Sequence, residues 1–116
     1  TVKTKGLIGA RQFALMRPGS LLVNMGRGGI VDEAALYDAL ASGHLAGAAS
    51  DVFAAEPYAP ASPGKDLRTL ANTVLTPHCG SNTQEANARM AASAVAQASA
   101  FLAGRRDGLC LVPLTP

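Results

Sequence analysis

The chain has 116 residues, 48% of them hydrophobic and 16% charged, which suits one small globular domain and excludes a disordered segment. The formal net charge of +2 is too small to indicate a nucleic-acid or membrane-surface partner, and no apolar run approaches the ~20 residues of a bilayer span. Cys79 and Cys110 lie far apart with no metal-binding pattern around them, so we expect reduced thiols, a cytoplasmic protein and no metal site.

The first half of the chain predicts two helices around a strand. Apolar residues from Thr4 to Met16 predict a short amphipathic helix. The run from Leu21 to Asn24 is continuously apolar over the length of a strand, which predicts burial on both faces. Asp32 is suited to cap a second helix and Gly43 to end it, because a short acidic side chain accepts the free N–H groups of a first turn and glycine tolerates a left-handed backbone.

The second half predicts two more strands, a long loop and a final helix. Strands are expected at Ala46 to Val52 and at Thr73 to Thr76, while the prolines between Ala54 and Arg68 predict a loop. An alanine-rich helix is expected from Asn82 to Leu102, and Leu109 to Leu114 is a candidate for a further strand. This order predicts an α/β fold: part of a Rossmann-like, doubly wound parallel sheet with helices on both faces and a long C-terminal helix.

A polar residue follows each of the three predicted strands: Arg27 after the first, Glu56 after the second and His78 after the third. Ligands of open α/β sheets bind at this carboxyl edge. An arginine fork matches a carboxylate, and an imidazole moves a proton near neutral pH. A carboxylate beside the imidazole stabilises its protonated form and fixes its tautomer. The three residues together predict hydroxy-acid chemistry; the structural alternatives are a surface Arg27 in a glycine-rich turn and a purely structural His78.

Other polar residues give weaker signals. Asp51 ends a predicted buried strand, where an unpaired carboxylate is costly, so its partner is a ligand amide or, in the structural alternative, a helix end or a backbone N–H. Glu33, Asp66 and Glu85 are predicted to be solvated or capping charges. His44 is predicted to be solvated in a helix-ending turn. No G-x-S-x-G, Walker A or H-E-x-x-H motif is present, and no G-x-G-x-x-G lies between a strand and a helix.

Several stretches, taken in order, carry the most specific signal in the chain. They are Gly6-Leu7-Ile8-Gly9, Met16 to Asn24, Arg27 to Leu36, Gly47 to Phe53, Glu56-Pro57 and Leu75 to His78. Together they resemble the D-isomer-specific 2-hydroxyacid dehydrogenases, and the resemblance covers roughly Thr4 to Gly104. Gly26 stands where this family commonly has Ala or Ser, and Cys79 stands where it commonly has an aliphatic residue.

The resemblance implies an NAD(P)-dependent oxidoreductase that transfers a hydride between NAD or NADP and C2 of a small 2-hydroxy or 2-keto acid. It implies that Arg27 binds the substrate, that His78 is the acid/base and that Glu56 is the partner of His78. It also implies a homodimer and a cofactor site whose lining includes Asp51 at the nicotinamide end. The residues implied to contact the cofactor are Met25, Gly26, Arg27, Asp51, His78, Cys79, Gly80 and Ser81.

The resemblance further implies that the chain is a fragment. Family members carry a glycine-rich phosphate loop upstream of a segment like this one, together with a separate substrate domain. We therefore expect residues 1–104 to form the C-terminal half of a dinucleotide-binding domain and residues 105–116 to be a tail that packs on the substrate domain. On this view the isolated chain is inactive. The alternative is a non-catalytic remnant or protein-interaction module of the same fold, because the phosphate-binding half is missing and the pyrophosphate is left without its helix N-terminus. The family also includes corepressor relatives that use the fold mainly to bind proteins.

Overall fold

A computed structural model of the chain describes residues 2–109, which fall into two units, Thr1–Gly80 and Ser81–Pro116. The first unit contains three parallel strands in the spatial order β1-β2-β3, and the second contains a long helix. The strands are β1 (Ser20–Asn24), β2 (Leu45–Ser50) and β3 (Thr73–Leu75), and the helices are α1 (Ala10–Leu15), α2 (Glu33–Ala41) and α3 (Gln84–Leu102). Short 3-10 helices lie at Val2–Thr4, Gly28–Ile30 and Leu67–Thr69.

The core of the first unit lies between one face of the sheet and its two helices. Residues from α1, α2 and the start of β2 form one buried cluster, and side chains from all three strands pack against or within it. The buried members are Phe13, Val31, Leu36, Leu40, Leu45, Ala48 and Leu67, with Leu22 and Leu75 partly buried beside them. The parallel pairing of β1 with β2 requires a crossover, and α2 provides it.

The expectation that β1 is buried on both faces is wrong. Leu21 and Val23 are 69% and 65% exposed, while Leu22 between them faces the core. Val74, which lies on the same open face of the sheet, is also 65% exposed. The physical reason is that α1 and α2, the two helices of the first unit, both contribute to the cluster on the Leu22 face.

The first predicted helix begins later than expected. The prediction placed it at Thr4 to Met16, whereas α1 begins only at Ala10. Gly6 has a φ of +63°, which breaks a helix, and the Ile8 backbone pairs with the strand-like segment around Val31. The Ile8 N–H donates to Ile30 O at 3.0 Å, so these backbone groups are hydrogen-bonded in an extended segment instead of a helical turn.

The boundaries of the other two helices follow their predicted signals. Asp32 Oδ1 accepts hydrogen bonds from the first-turn N–H groups of α2 at 3.0 and 3.1 Å, and Gly43 has a φ of +74° just beyond its end. In the second unit, Thr83 caps α3 by accepting from Ala86 N–H at 3.1 Å, and Gly104 follows its end with a φ of +75°. None of the helices in residues 2–109 has the length and apolar character that a bilayer crossing requires.

The segment between β2 and β3 is a long loop, as the prolines predicted, and its only regular element within the described residues is the 3-10 helix at Leu67–Thr69. The strand proposed for Leu109 to Leu114 lies outside the described residues except for Leu109, which belongs to no strand.

Candidate functional site

The carboxyl ends of the three strands bring the predicted residues to one edge of the sheet. Backbone hydrogen bonds continue past the strands there: Asp51 N–H donates to Asn24 O at 3.1 Å, and Thr76 N–H donates to Ser50 O at 3.0 Å. The segments that carry Arg27, Glu56 and His78 therefore start from neighbouring strand ends.

The Glu56–His78 pair is present as the sequence predicted. His78 Nδ1 lies 2.8 Å from Glu56 Oε2, and both side chains are partly exposed. Glu56 Oε1 accepts a hydrogen bond from Phe53 N–H at 3.0 Å. The hydrogen bond to His78, and then that from Phe53, lower the pKa of Glu56 below its ordinary value. Because an ionised carboxylate only accepts, Nδ1 carries the hydrogen of this bond and Nε2 is the ring nitrogen left to act on a ligand.

Asp51 holds the turn in which His78 lies. Its Oδ1 accepts from Thr76 Oγ1–H at 2.5 Å and from Cys79 N–H at 2.9 Å, and its Oδ2 accepts from Gly80 N–H at 2.8 Å. These bonds, that of Thr76 first, lower the pKa of the buried Asp51 carboxyl to about 2. The donors lie on both sides of His78 in the chain. The φ of His78, +54°, is in the left-handed region that non-glycine residues seldom adopt. Backbone N–H groups, the structural alternative, thus account for this carboxylate, and its contact with a nicotinamide stays a prediction.

The low pKa of Asp51 predicts an acid-sensitive turn. Because its folded pKa of about 2 lies below the ordinary 3.8, this group stabilises the fold fully above about pH 4, and the contribution is lost as the pH falls toward 2. Asp51→Asn presents an NH₂ group to an N–H donor. We therefore expect urea unfolding of the full-length protein to show lower stability at pH 7 and a smaller loss between pH 4 and 2.

The control for this measurement is Asp38→Asn, which removes an exposed carboxylate whose recorded partner is Lys65. Its stability at pH 7 should stay within about 0.5 kcal/mol of the parent. Acid-unfolding curves of Asp51→Asn that run parallel to those of the parent would show that Asp51 is not a source of the acid sensitivity.

Arg27 is exposed at the end of β1, and its position suits an anion. Its Nη1 donates to Gly26 O at 2.9 Å, and within residues 2–109 it forms no ion pair. Its charge also lowers the pKa of Glu56, after the larger effects of the hydrogen bonds from His78 and Phe53. The guanidinium therefore retains donors for an external carboxylate beside the Glu56–His78 pair.

Two stretches implied to line a cofactor also meet at this edge. Met25 is 60% exposed, and its Cε would lie 2.6 Å from a Cβ built on Gly80, so the two residues are neighbours. A Cβ built on Gly26 would be in ordinary van der Waals contact with Asn24 Oδ1, at 3.7 Å, so a small side chain fits there. Ser81 opens the second unit and stays a prediction.

A cavity of about 450 Å³ borders the Glu56–His78 pair and is mostly apolar. It is lined by Phe53, Glu56, Pro57, Tyr58, Arg68, Leu75, Thr76, Pro77 and His78. Sequence reasoning did not single out Tyr58 or Arg68. The guanidinium of Arg68 lies 5.2 Å above the Tyr58 ring and pairs with Asp66 at 2.6 Å, so its charge already has a partner. The sequence signal that could have indicated Tyr58 is its position as an aromatic residue two places after Glu56 in the proline-rich loop.

Glu33 is not the solvated or capping charge that the sequence suggested. Glu33 is only 6% exposed, and its Oε1 accepts from Ala54 N–H at 2.6 Å. Its Oε2 is buried, and no described residue forms a hydrogen bond with it. Burial raises the pKa of this carboxyl above its ordinary value. The sequence could not show this, because the covering loop follows β2 about twenty residues later. His44 is likewise half-buried, with Nε2 2.9 Å from Phe13 O, and is not solvated as expected.

The other two acidic residues match their predictions. Asp66 caps the 3-10 helix at Leu67–Thr69 by accepting from Arg68 N–H at 3.0 Å, and Glu85 is exposed in the first turn of α3. Within residues 2–109, no group of three or more His, Cys, Asp or Glu side chains is placed to hold a metal ion.

Comparison with known proteins decides the family. The sequence model of the D-isomer specific 2-hydroxyacid dehydrogenase NAD binding domain matches residues 1–80. The chain belongs to this family. Its predicted Rossmann-like fold is confirmed by a solved NADPH-dependent glyoxylate/hydroxypyruvate reductase from Sinorhizobium meliloti, in complex with NADP and malonate. That structure is 35% identical with a TM-score of 0.79, and the match covers 88% of this chain and 31% of the reductase.

Two curated relatives of this family member show how much of a dehydrogenase it spans. It is 55% identical over 84 residues to D-3-phosphoglycerate dehydrogenase of Escherichia coli K12, a match covering 72% of the chain and 20% of that enzyme. It is 45% identical over 113 residues to glyoxylate/hydroxypyruvate reductase B of Pectobacterium carotovorum, covering 97% of the chain and 34% of that enzyme. The matches therefore span between about a fifth and about a third of the length of these relatives.

Proposed function

We propose that the protein containing this chain is an NAD(P)-dependent D-2-hydroxyacid dehydrogenase and that the chain supplies its carboxylate-binding and acid–base residues. The observation that carries the proposal is the 2.8 Å contact between His78 Nδ1 and Glu56 Oε2, at the strand edge where Arg27 also lies. The names of the relatives support it, because each is a dehydrogenase or a reductase of a small hydroxy or keto acid.

The residues present fit the nicotinamide end of the cofactor. The exposed Met25 side chain, the turn around Gly80 and the left-handed His78 surround the carboxyl edge of the sheet, with Arg27 beside them. When bound there, the reduced nicotinamide would supply the hydride that C2 of the acid takes up. For the pyrophosphate, a parallel-sheet site uses a glycine-rich turn at a helix N-terminus, and residues 1–116 contain no such motif.

Arg27 and His78 divide the chemistry of the substrate between them. We assign the substrate carboxylate to the Arg27 guanidinium, which places the neighbouring C2 oxygen toward His78. In the reducing direction, Nε2–H of the imidazolium donates a proton to that oxygen as C2 accepts the hydride; in the oxidising direction, neutral Nε2 takes the hydroxyl proton. The Glu56 carboxylate stabilises the imidazolium and keeps its Nδ1–H directed away from the substrate.

The proposal extends to the organisation of the whole protein. Residues 1–104 would complete a dinucleotide-binding domain whose phosphate loop lies elsewhere in the polypeptide, and residues 105–116 would pack on a substrate domain. The protein would be a cytoplasmic homodimer, and the isolated chain would be inactive. If the complete protein turns over no 2-keto acid with NADH or NADPH, the alternative of a non-catalytic interaction module replaces this proposal.

Substitution of Arg27 tests the assignment. In the full-length protein, Arg27→Ala should raise KM for the keto acid, lower kcat and reduce kcat/KM by about 100-fold or more, because removing one partner of a charged, hydrogen-bonded pair costs roughly 2–5 kcal/mol. Arg27→Lys should recover only part of this loss, since an ammonium cannot make the paired contacts. Steady-state kinetics with NADH and NADPH over a series of keto acids provides the measurement.

The matched control is Arg17→Ala, because Arg17 is an exposed arginine that precedes β1 and so lies toward the opposite edge of the sheet. Its kinetics should match those of the parent within about twofold. Near-normal turnover of Arg27→Ala would remove the substrate role from this residue.

A further inference from the structure

We propose that Glu33, the first residue of α2, is a positioning residue that fixes the loop carrying Glu56 and so sets the geometry of the Glu56–His78 pair. Two consecutive peptide groups of that loop are held by two glutamates: Ala54 N–H donates to Glu33 Oε1 at 2.6 Å, and Phe53 N–H donates to Glu56 Oε1 at 3.0 Å. The other oxygen of Glu56 contacts His78 Nδ1 at 2.8 Å. An unbroken series of contacts thus runs from α2 to the imidazole.

Glu33 does not make the capping hydrogen bonds of the helix that it begins. Asp32 already accepts from the N–H groups of Ala34 and Ala35 at 3.0 and 3.1 Å, which is the capping role at this helix end. Glu33 instead extends to Ala54 and is buried, and its Oε2 has no hydrogen-bond partner among residues 2–109. A buried carboxylate oxygen without a partner is costly for folding, so stability alone does not explain a carboxylate at this position.

The same loop is held from a second direction by the turn that carries Arg27. A Cβ built on Gly28 would lie 1.9 Å from the carbonyl carbon of Phe53, so these two backbones are in direct contact. The short segment from Arg27 to Glu33 therefore touches the Phe53–Ala54 peptides near both of its ends. Because Arg27 begins this segment and Glu56 follows those peptides, the contacts set the spacing between the carboxylate-binding residue and the acid–base pair.

The inference rests on the proposed function and predicts a specific kinetic pattern in the full-length enzyme. Glu33→Ala should lower kcat about 10-fold and change KM for the keto acid less than twofold, because the substrate still meets Arg27 while the proton carrier loses its orientation. Glu33→Gln keeps an acceptor oxygen for Ala54 N–H and should retain kcat within about twofold to threefold. Glu33→Asp keeps the negative charge but shortens the side chain by one methylene, so the carboxylate no longer reaches Ala54 N–H. This variant should lower kcat as Glu33→Ala does.

Asp32→Ala is the matched control at the same helix end. It removes the cap of α2 without touching Ala54, so it should lower the thermal midpoint at least as much as Glu33→Ala while kcat stays within about twofold. A kcat that falls in step with the thermal midpoint in both variants would mean that Glu33 has only a structural role, and would overturn the inference.

A double-mutant cycle separates this inference from the proposed function. If Glu33 acts through Glu56, the double variant with Glu33→Ala and Glu56→Gln should have a kcat less than about twofold below that of Glu56→Gln alone. A double variant whose loss of kcat equals the product of the two single losses would overturn the inference. A Glu56→Gln variant with normal turnover would instead refute the acid–base assignment itself. Should Glu33→Ala not fold, Glu33→Asp decides: parental kcat in that variant overturns the positioning role.

Discussion

Replacing His78 in the full-length protein is expected to lower kcat by about 10²–10⁴-fold, with KM for the keto acid changed only a few-fold. A positioned general acid or base contributes on this order, and the proposed function assigns that role to His78, whose Nδ1 lies 2.8 Å from Glu56 Oε2. The Glu56 carboxylate stays ionised, since its hydrogen bonds to His78 and Phe53 lower its pKa, and it has no proton to give.

The choice of substituent matters because His78 has a φ of +54°. A left-handed backbone is unfavourable for alanine, so His78→Ala would also displace the turn, and that displacement would contribute to the change in kcat. His78→Asn avoids this, because asparagine tolerates that conformation and yet carries no titratable proton near neutral pH. We expect His78→Asn to fold with a thermal midpoint close to the parent and to lose nearly as much kcat as His78→Ala.

His44→Asn provides the control within the same chain. His44 is half-buried against Phe13 O just before β2, at the opposite edge of the sheet, so its replacement should affect stability more than kcat. Single-turnover measurement of NADH oxidation would show whether the chemical step has slowed. If His78→Asn keeps more than about a tenth of parental kcat, the imidazole is not the proton carrier.

Sequence reasoning predicted the Glu56–His78 pair because the parallel direction of the strands largely determines where these two residues lie. Once three strands run parallel, the residues that follow them must emerge at one edge, and only their types decide the chemistry. The local signals of Asp32 and Gly43 are equally direct, since each acts within one turn of its own position. Features whose cause lies within a few residues, or in strand direction alone, could be predicted.

What the sequence did not show depends on distant segments. The burial of Glu33 is produced by the loop around Ala54, and the start of α1 is set by pairing of Ile8 with Val31. The apolar run around Val23 predicted two buried faces, but both helices of the first unit pack on the face that carries Leu22. In each case the local pattern was compatible with two outcomes, and tertiary contacts selected between them.

Gly28→Ala is expected to be the most damaging of the stability changes in the first unit. The added Cβ would lie 1.9 Å from the Phe53 carbonyl carbon, 2.1 Å from its oxygen and 2.4 Å from its Cα. These are backbone atoms, which cannot rotate away as a flexible side chain can, so the two segments must separate. When side chains can move to relieve an overpacked core, the substitution costs about 1–3 kcal/mol of stability. For Gly28→Ala we expect the free energy of unfolding, measured with urea, to fall by an amount at or above the upper end of that range.

The adjacent Gly29 makes the test specific, because a Cβ at that position meets nothing within 4 Å and its backbone is not in the left-handed region. Gly29→Ala should therefore leave stability within about 0.5 kcal/mol of the parent, although it changes the same turn by the same methyl group. Any Gly28→Ala protein that folds should show a reduced kcat/KM, because the separation that relieves the overlap also moves Arg27 away from Glu56. Equal stabilities of the two variants would mean that the Gly28–Phe53 contact does not hold the segment of Arg27 against the loop of Glu56.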